Sequence, residues 1–290
     1  MYEFDPNGEP PAREFRSIAI NQLDAALSAL DPPNSLGRSA VHEARRRIKK
    51  LRGLLQLVRP AFPAFSFENA ALRDAAGLLS PLRDREVRHE TLGVLAEWRP
   101  TPLLRRLLVA SAAAAPGDDP AALEDFRDRL TAIRRRAEHW SLSRSTSGMD
   151  PLWLGVRHTY RAARRRMAKA KRAPTPTHFH EWRKSNKVFG FQLELLQKAA
   201  PETLAGDLAV VDKLSVMLGV HHDLAVLRGA ADRQQLPPMN ASEHQELRDL
   251  VAERLDKLES DAFGLGRQIY AESPRAFTHR LQSYWMTTKS

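Results

Sequence analysis

The chain has 290 residues, and 45 Lys and Arg against 35 Asp and Glu give it a formal net charge of +10 at pH 7. It contains no cysteine, which excludes disulfides, thiol nucleophiles and cysteine-ligated zinc. The N-terminus has no signal-peptide pattern, and no run of about 18 apolar residues could span a bilayer, so we expect a cytoplasmic protein. The positive charge favours a polyanionic partner, either nucleic acid, an acidic lipid surface or a phosphate polymer.

Helical spacing of apolar residues runs through almost the whole chain, in segments rich in Ala, Leu, Arg and Glu. Breaks that contain proline separate these segments, for example at 31–34, 60–63 and 236–240. Runs of β-branched residues with alternating polarity are absent. The pattern therefore predicts an all-α protein with eight to ten helices and no sheet.

The sequence contains an internal repeat. His42 and His180 begin similar segments that lie 138 positions apart, and the segment Leu79–Val87 recurs 139 positions later. A nearly constant offset over such a distance indicates duplication of a structural unit. We therefore predict two related half-repeats, approximately 1–145 and 146–290.

The first repeat helix has one apolar and one cationic face. Glu43 is the only acid among the polar positions of this helix, and like charges three or four residues apart repel each other. A bound polyanion would neutralise them, whereas the alternative interpretation is a solvated basic face beside the core. At about 100° per residue, the cationic face carries His42, Arg45, Arg46, Lys49, Lys50 and Arg52.

The second half repeats this arrangement over a shorter stretch. Its repeat helix carries His180, Arg183, Lys184 and Lys187 on one side. Each of the two histidines could cap its own helix, but their equivalent positions favour contact with a ligand. The helix before the second repeat helix adds Arg157, Tyr160, Arg161, Arg164 and Arg165, and Arg16 is a sparser counterpart in the first half.

A metal site is the alternative use of His221-His222-Asp223, because adjacent His and Asp residues ligate metals in some helical phosphohydrolases. The repeat partner of His222 is Arg83, however, and an arginine does not ligate a metal. We therefore predict no metal site and no cofactor, and we interpret Asp84 and Asp223 as structural.

These motifs together resemble the CHAD family, named for its conserved histidine α-helical domain, and the resemblance covers nearly the whole chain. The first family motif is matched in full, but Gly190 replaces an Arg in the second, Ser80 replaces a Gly in the third, and His222 replaces an Arg in the fourth. The matching residues are His42, Arg45, Lys49, Lys50 and Arg52 in the first motif and His180, Arg183, Lys184, Lys187 and Phe191 in the second.

The resemblance implies two antiparallel helical bundles that are related by a pseudo-twofold axis. It also implies a basic central groove or pore that binds inorganic polyphosphate, and some family members are associated with polyphosphate or polyester granules. We therefore predict a stand-alone, non-catalytic polyphosphate-binding protein whose site consists of the cationic residues named above, together with Tyr160.

Two other functions stay open from the sequence. The charge also permits nucleic-acid binding, although proteins that bind single strands interleave aromatic residues with cations, and only Tyr160 and Trp182 are candidates here. A metal-dependent phosphohydrolase would need clustered carboxylates near the cations, and the basic faces carry none.

Overall fold

The structure, a computed structural model, describes residues 2–30, 38–79, 81–112, 120–143 and 151–288, with the backbone alone at 38–39 and 81–86. Within these ranges the chain forms eleven α-helices and no strand, which confirms the all-α prediction and exceeds its upper count by one helix. None of the described helices is long and apolar enough to cross a membrane. The helices are α1 (Pro11–Ser28), α2 (Arg38–Val58), α3 (Phe65–Leu78), α4 (Pro81–Trp98), α5 (Pro102–Ala112), α6 (Pro120–Ala137), α7 (Pro151–Arg172), α8 (Pro176–Leu196), α9 (Pro201–Asp232), α10 (Ala241–Ile269) and α11 (Pro274–Thr288).

Some of the predicted features lie outside the described part of the chain. The boundary between the predicted half-repeats falls within residues 144–150, so the structure says nothing about it. Ser80 and the side chains of Arg83 and Asp84 are also outside the described residues. The structural role predicted for Asp84 therefore stays a prediction.

Proline sets the start of most helices. Eight of the eleven described helices begin at a proline, because the first turn of a helix does not need the missing N–H and the fixed φ suits it. Side-chain caps add to this, for example at α8 and α10. Thr175 accepts a hydrogen bond from the backbone N–H of His178 before α8, and Asn240 and Glu243 form a capping box at α10.

The larger hydrophobic core joins two groups of helices. In the first group α1 packs against α2 and α6, and α3 closes the group by packing against the same two helices. In the second group α8 packs against α7 and α9, and α10 contacts the same two helices. Helix α2 connects the groups because it packs against both α7 and α8.

A second, smaller core lies beyond the first. It is built from α4 and α5 together with the C-terminal half of α9 and the N-terminal half of α10, and leucines fill most of it. Helices α9 and α10 therefore contribute to both cores. Their length, 32 and 29 residues, is what allows each of them to reach from one core to the other.

The apolar face predicted for α2 is buried. Ala44, Ile48, Leu51, Leu55 and Val58 are each at most 1% exposed, so the opposite, cationic face is the one that points away from the core of the first group. Helix α2 is also closely approached by α7. A Cβ atom added to Gly155 of α7 would overlap the backbone carbonyl of Leu57, so this crossing requires glycine.

The Gly155→Ala substitution should therefore destabilise the protein. We expect the free energy of unfolding to fall by about 1 to 3 kcal/mol, because the two backbones must separate to make room for a methyl group. Thermal and denaturant unfolding followed by circular dichroism would measure the change. The matched control is Gly206→Ala in α9, where an added Cβ meets nothing within 4 Å. That control should leave the stability unchanged or raise it slightly, and an equal loss in both variants would contradict the close crossing.

Candidate site on the basic helices

The first basic row, which we define as His42, Arg45, Lys49 and Arg52, lies along one side of α2. The row borders α3, because Arg45 donates a hydrogen bond from Nη1 to the carbonyl of Ala76 at 3.2 Å and Arg52 donates from Nε to Oδ1 of Asn69 at 3.0 Å. A guanidinium group has several N–H donors in a fixed plane, so these bonds set the orientation of both arginines. The row is thus an ordered set of cations between α2 and α3, with His42 at its exposed end.

Within this row, burial changes the pKa of Arg52. Burial lowers the pKa of the Arg52 guanidinium, and the neighbouring positive charge of Arg73 lowers it further. An arginine keeps its proton despite such a shift, since its unperturbed pKa lies far above neutral pH. Arg52 of α2 therefore stands close to Arg73 of α3, which forms an ion pair with Asp74 at 2.8 Å, and the Asp74 charge partly offsets the lowering of the Arg52 pKa.

The other side of α2 is neutralised by carboxylates. Glu43 forms ion pairs with Arg46 at 2.7 Å and with Arg47 at 2.6 Å, and the Arg46 hydrogen bond is the main cause that lowers the pKa of Glu43 to about 2. Lys50 pairs at 2.5 Å with Glu194, which comes from α8. Arg46 and Lys50, both predicted to bind the ligand, are therefore already paired with acids of the protein.

The second basic row, which we define as His180, Arg183 and Lys187, lies on α8 beside α9. Arg183 passes over Gly219 of α9, where an added Cβ would come within 3.9 Å of its Nε. Lys184, the fourth predicted cation of this helix, forms an ion pair with Glu181 at 2.8 Å. In both halves, then, the basic row faces the helix that follows it in the chain.

Helix α9 brings a histidine pair into contact with the second row. Nδ1 of His180 lies 3.2 Å from Nδ1 of His222, and the two rings are 4.5 Å apart. Burial lowers the pKa of His222 to about 4, and the charges of Arg183, His180 and His221 contribute less to the shift. Burial is likewise the main cause of the lowered pKa of His180. Both rings are therefore neutral at pH 7, and one Nδ1 donates a hydrogen bond to the other.

His221, the neighbour of His222, has a structural environment. It is 3% exposed, its Nε2 lies 2.9 Å from Oε1 of Glu259, and its ring packs 4.2 Å from that of Phe179. In the described part of the chain no three His, Asp or Glu side chains are grouped so that they could hold a metal ion. The sequence-based reasoning missed both partners, Glu259 for His221 and His180 for His222, because each comes from a different helix.

The two repeat helices contact each other directly. Gly53 of α2 lies against Phe191 of α8, and a Cβ added to Gly53 would come within 2.8 Å of the Phe191 Cβ. The Lys50–Glu194 ion pair lies one turn from this contact on each helix, so the two helices run antiparallel there. Both basic helices therefore meet at their C-terminal halves.

Helix α7 places its predicted residues in different surroundings. Tyr160 is 0% exposed, stacks 4.4 Å from Phe277, and donates its hydroxyl hydrogen towards the carbonyls of Ile269 and Glu272. A fully buried ring cannot touch a polymer, so the prediction that Tyr160 binds the ligand is wrong and its aromatic character serves the core. Of the four arginines on α7 that were predicted to bind the ligand, Arg161, Arg164 and Arg165 are exposed and Arg157 is partly buried.

Two of the predicted arginines each contact a backbone carbonyl in their own half of the chain. Arg164 donates to the carbonyl of Glu272 at 3.3 Å, and Arg16 of α1 donates to that of Glu138 at 3.4 Å. Arg16 thus lies at the end of α6, and no contact of the described residues brings it to the first basic row. Its inclusion in the site stays a prediction.

Comparison with known proteins gives one family and one related fold. The sequence model of the CHAD domain matches residues 18–232. The solved structure of PptA from Streptomyces chartreusis is similar in fold, with a TM-score of 0.61 over 91% of this chain and 100% of that chain, at 17% sequence identity. None of the curated proteins compared with the chain matches it in sequence.

The histidine pair should make stability depend on pH. Because the pKa of His222 is lowered on folding from 6.5 to about 4, the unfolded chain takes up a proton first as the pH falls, and stability is lost between about pH 6.5 and 4. Between pH 7.5 and 5, we expect the free energy of unfolding of the His222→Gln variant to fall by about 1 to 2 kcal/mol less than that of the original protein. His222 is partly exposed, which makes the difference smaller than the whole pKa shift would give.

Urea unfolding at the two pH values would measure this difference. His139→Gln is the matched control, since His139 is exposed and lies at the end of α6. If all three proteins lost the same free energy of unfolding on acidification, the histidine pair would not be the titrating group.

Proposed function

Because the chain belongs to the CHAD family, we propose that it binds inorganic polyphosphate along its two basic rows, without catalysing a reaction. The observation that carries this proposal is the contact between α2 and α8. It joins the two helices that bear the rows, at positions that border the rows.

Repeat geometry supports a shared path for the polymer. Gly53 and Phe191, which touch at the crossing, are 138 positions apart, the same offset as His42 and His180. At about 100° per residue, each contact residue lies only about 20° from the histidine of its own helix. Two helices that meet at equivalent positions on equivalent faces are what a pseudo-twofold axis would produce, and each half-repeat would then contribute one row to a common basic groove.

Ion pairs within the protein suggest different roles for the cations of the two repeat helices. Glu43 and Glu194 neutralise the side of α2 that carries Arg46 and Lys50, whereas the first basic row lies on the other side, against α3. We therefore propose that the polymer follows the two rows, and that Arg46, Lys50 and Lys184 contribute mainly by keeping the helices in place. Arg157, Arg161, Arg164 and Arg165 would extend the basic surface on α7.

Binding would be driven by charge and by hydrogen bonds. Guanidinium groups donate paired N–H bonds to phosphate oxygens, lysines act as point charges, and neutral histidines donate a single N–H. Neutralisation of the polymer would release its condensed counterions, which makes the affinity fall with salt concentration. Association with polyphosphate granules would follow from the same interaction.

Nucleic acid is the weaker candidate ligand. Tyr160 and Trp182, the two aromatic residues that the sequence offered near the cations, are both 0% exposed. Neither ring can stack on a base, although stacking is a main source of affinity in proteins that bind single strands. A phosphate chain without bases needs only the charges and the donors of the two rows.

Removing one charge from each row should weaken polyphosphate binding. We expect the double variant Lys49→Gln/Lys187→Gln to lose at least tenfold in affinity for long-chain polyphosphate at moderate salt. The slope of log K against log salt should become shallower by about 1.4, since each lost phosphate contact changes the slope for a flexible polyanion by about 0.7. Titration calorimetry at several salt concentrations would measure both quantities.

The matched control is Arg105→Gln/Arg135→Gln, which also removes two exposed charges but on α5 and α6. This control should stay within about twofold of the original affinity. An equal loss in both double variants would mean that binding follows net charge and has no defined site.

A competition experiment separates the two candidate ligands. We expect long-chain polyphosphate to displace a labelled single-stranded DNA from the protein at a phosphate concentration well below that at which DNA displaces polyphosphate. Fluorescence anisotropy of the labelled DNA would follow the displacement. The reverse order of displacement would favour nucleic acid as the ligand.

A further inference from the structure

A basic pocket of about 420 Å³ opens where the end of α2 meets the first half of α7. Its volume lies within the range of pockets that bind small ligands. Only Arg157 and Arg161 among the residues around it belong to the site proposed above. The pocket is lined by Gln56, Arg59, Pro60, Leu154, Gly155, Arg157, His158 and Arg161.

Three guanidinium groups surround this pocket, and its described lining contains no carboxylate. Within the described ranges none of Arg59, Arg157 and Arg161 forms an ion pair, in contrast to Arg46 and Lys50 of α2. Arg157 and Arg161 are also four residues apart on one helix, a spacing at which like charges repel. The pocket therefore concentrates positive charge that no acid of the described protein offsets.

Neighbouring side chains hold the cations in place. Arg59 packs over the ring of Phe65 with 4.9 Å between the guanidinium carbon and the ring centroid. His158 lies between Arg157 and Arg161 on α7, and desolvation followed by the charges of Arg59 and Arg161 lowers its pKa. At neutral pH its ring is therefore an uncharged hydrogen-bond donor. The pocket thus combines three positively charged guanidinium groups with the neutral hydrogen-bond donors of His158 and Gln56.

The corresponding place at the end of α8 is filled by the protein itself. The short 3-10 helices Arg59–Ala61 and Gln197–Ala199 are 138 positions apart and follow α2 and α8 respectively. At the second of these, the N–H of Phe4 donates to the carbonyl of Leu195 at 2.8 Å, and Asp5 pairs with Lys198 at 3.1 Å. The N-terminal segment therefore supplies carboxylates at the end of α8, whereas the described residues around the pocket at the end of α2 include no carboxylate.

We propose that this pocket is a separate site for a short condensed phosphate, of the size and charge of inorganic tripolyphosphate. Three guanidinium groups match an anion that carries several negative charges on closely spaced oxygens, and Arg binds phosphate through paired hydrogen bonds. The choice of phosphate over a carboxylate ligand rests on the function proposed above. The pocket would bind either a free short chain or the end of a long one.

Calorimetric titration of the full chain with inorganic tripolyphosphate tests the pocket. We expect one molecule to bind per chain and the Arg59→Gln variant to bind at least tenfold more weakly. Arg135→Gln, which removes an equally exposed guanidinium from α6, should stay within twofold of the original affinity. NMR of selectively labelled histidines supplies the location, because the resonances of His158 should shift on addition of tripolyphosphate and those of His139 should not.

Each outcome decides between the alternatives. Equal affinities in the Arg59 and Arg135 variants, or unchanged His158 resonances, would overturn the pocket as a phosphate site. Displacement of tripolyphosphate by a glutamate-rich peptide at a lower charge concentration would overturn it in favour of an acidic protein segment. Arg59-dependent tripolyphosphate binding by a chain that fails to bind long polyphosphate would support the pocket while contradicting the proposed function. Competition between tripolyphosphate and long-chain polyphosphate that depends on Arg59 would indicate that the pocket binds the end of the long polymer.

Discussion

The close approach of α2 to α7 and α8 is the constraint on which the rest of the structure depends. Glycine makes both contacts possible, with Gly53 against Phe191 and Gly155 against the carbonyl of Leu57. These contacts bring the two groups of helices together through α2, and α2 also carries the larger of the two basic rows. Packing and charge are thus determined at the same place, since the helix that joins the two groups is the one that presents the first basic row.

Holding so many cations together costs free energy, and carboxylates of the described residues reduce this cost on the side of α2 that carries Arg46 and Lys50. Glu43 and Glu194 pair with cations on the side of α2 that contacts α8, where the charges would otherwise oppose packing. The rows against α3 and α9 are ordered instead by hydrogen bonds from Arg45 and Arg52 and by the close passage of Arg183 over Gly219. The protein itself thus fixes the orientation of Arg45 and Arg52 in the first basic row.

The sequence predicts what depends on local pattern and fails where distant segments meet. Proline positions mark most helix starts, and the apolar spacing of Ala44, Ile48 and Leu51 correctly predicts the buried face of α2. The core position of Tyr160 could not be read from its spacing, because it lies at the edge of the arginine face and its burial depends on packing against α8 and α11. Glu194 and His222 reach their partners across helix pairs, and no local pattern encodes such contacts.

The length of α9 has a consequence for how the molecule comes apart. Leu204 to Leu218 of this helix belong to the larger core and Leu224 to Ala231 belong to the smaller one, with no break between them. Melting of the smaller core would expose the apolar side of a helix whose other half is still held, and cooperative helix propagation opposes such a partial state. The continuous helix α9 therefore couples the unfolding of the smaller, leucine-rich core to that of the larger core. We expect both cores to unfold in a single transition.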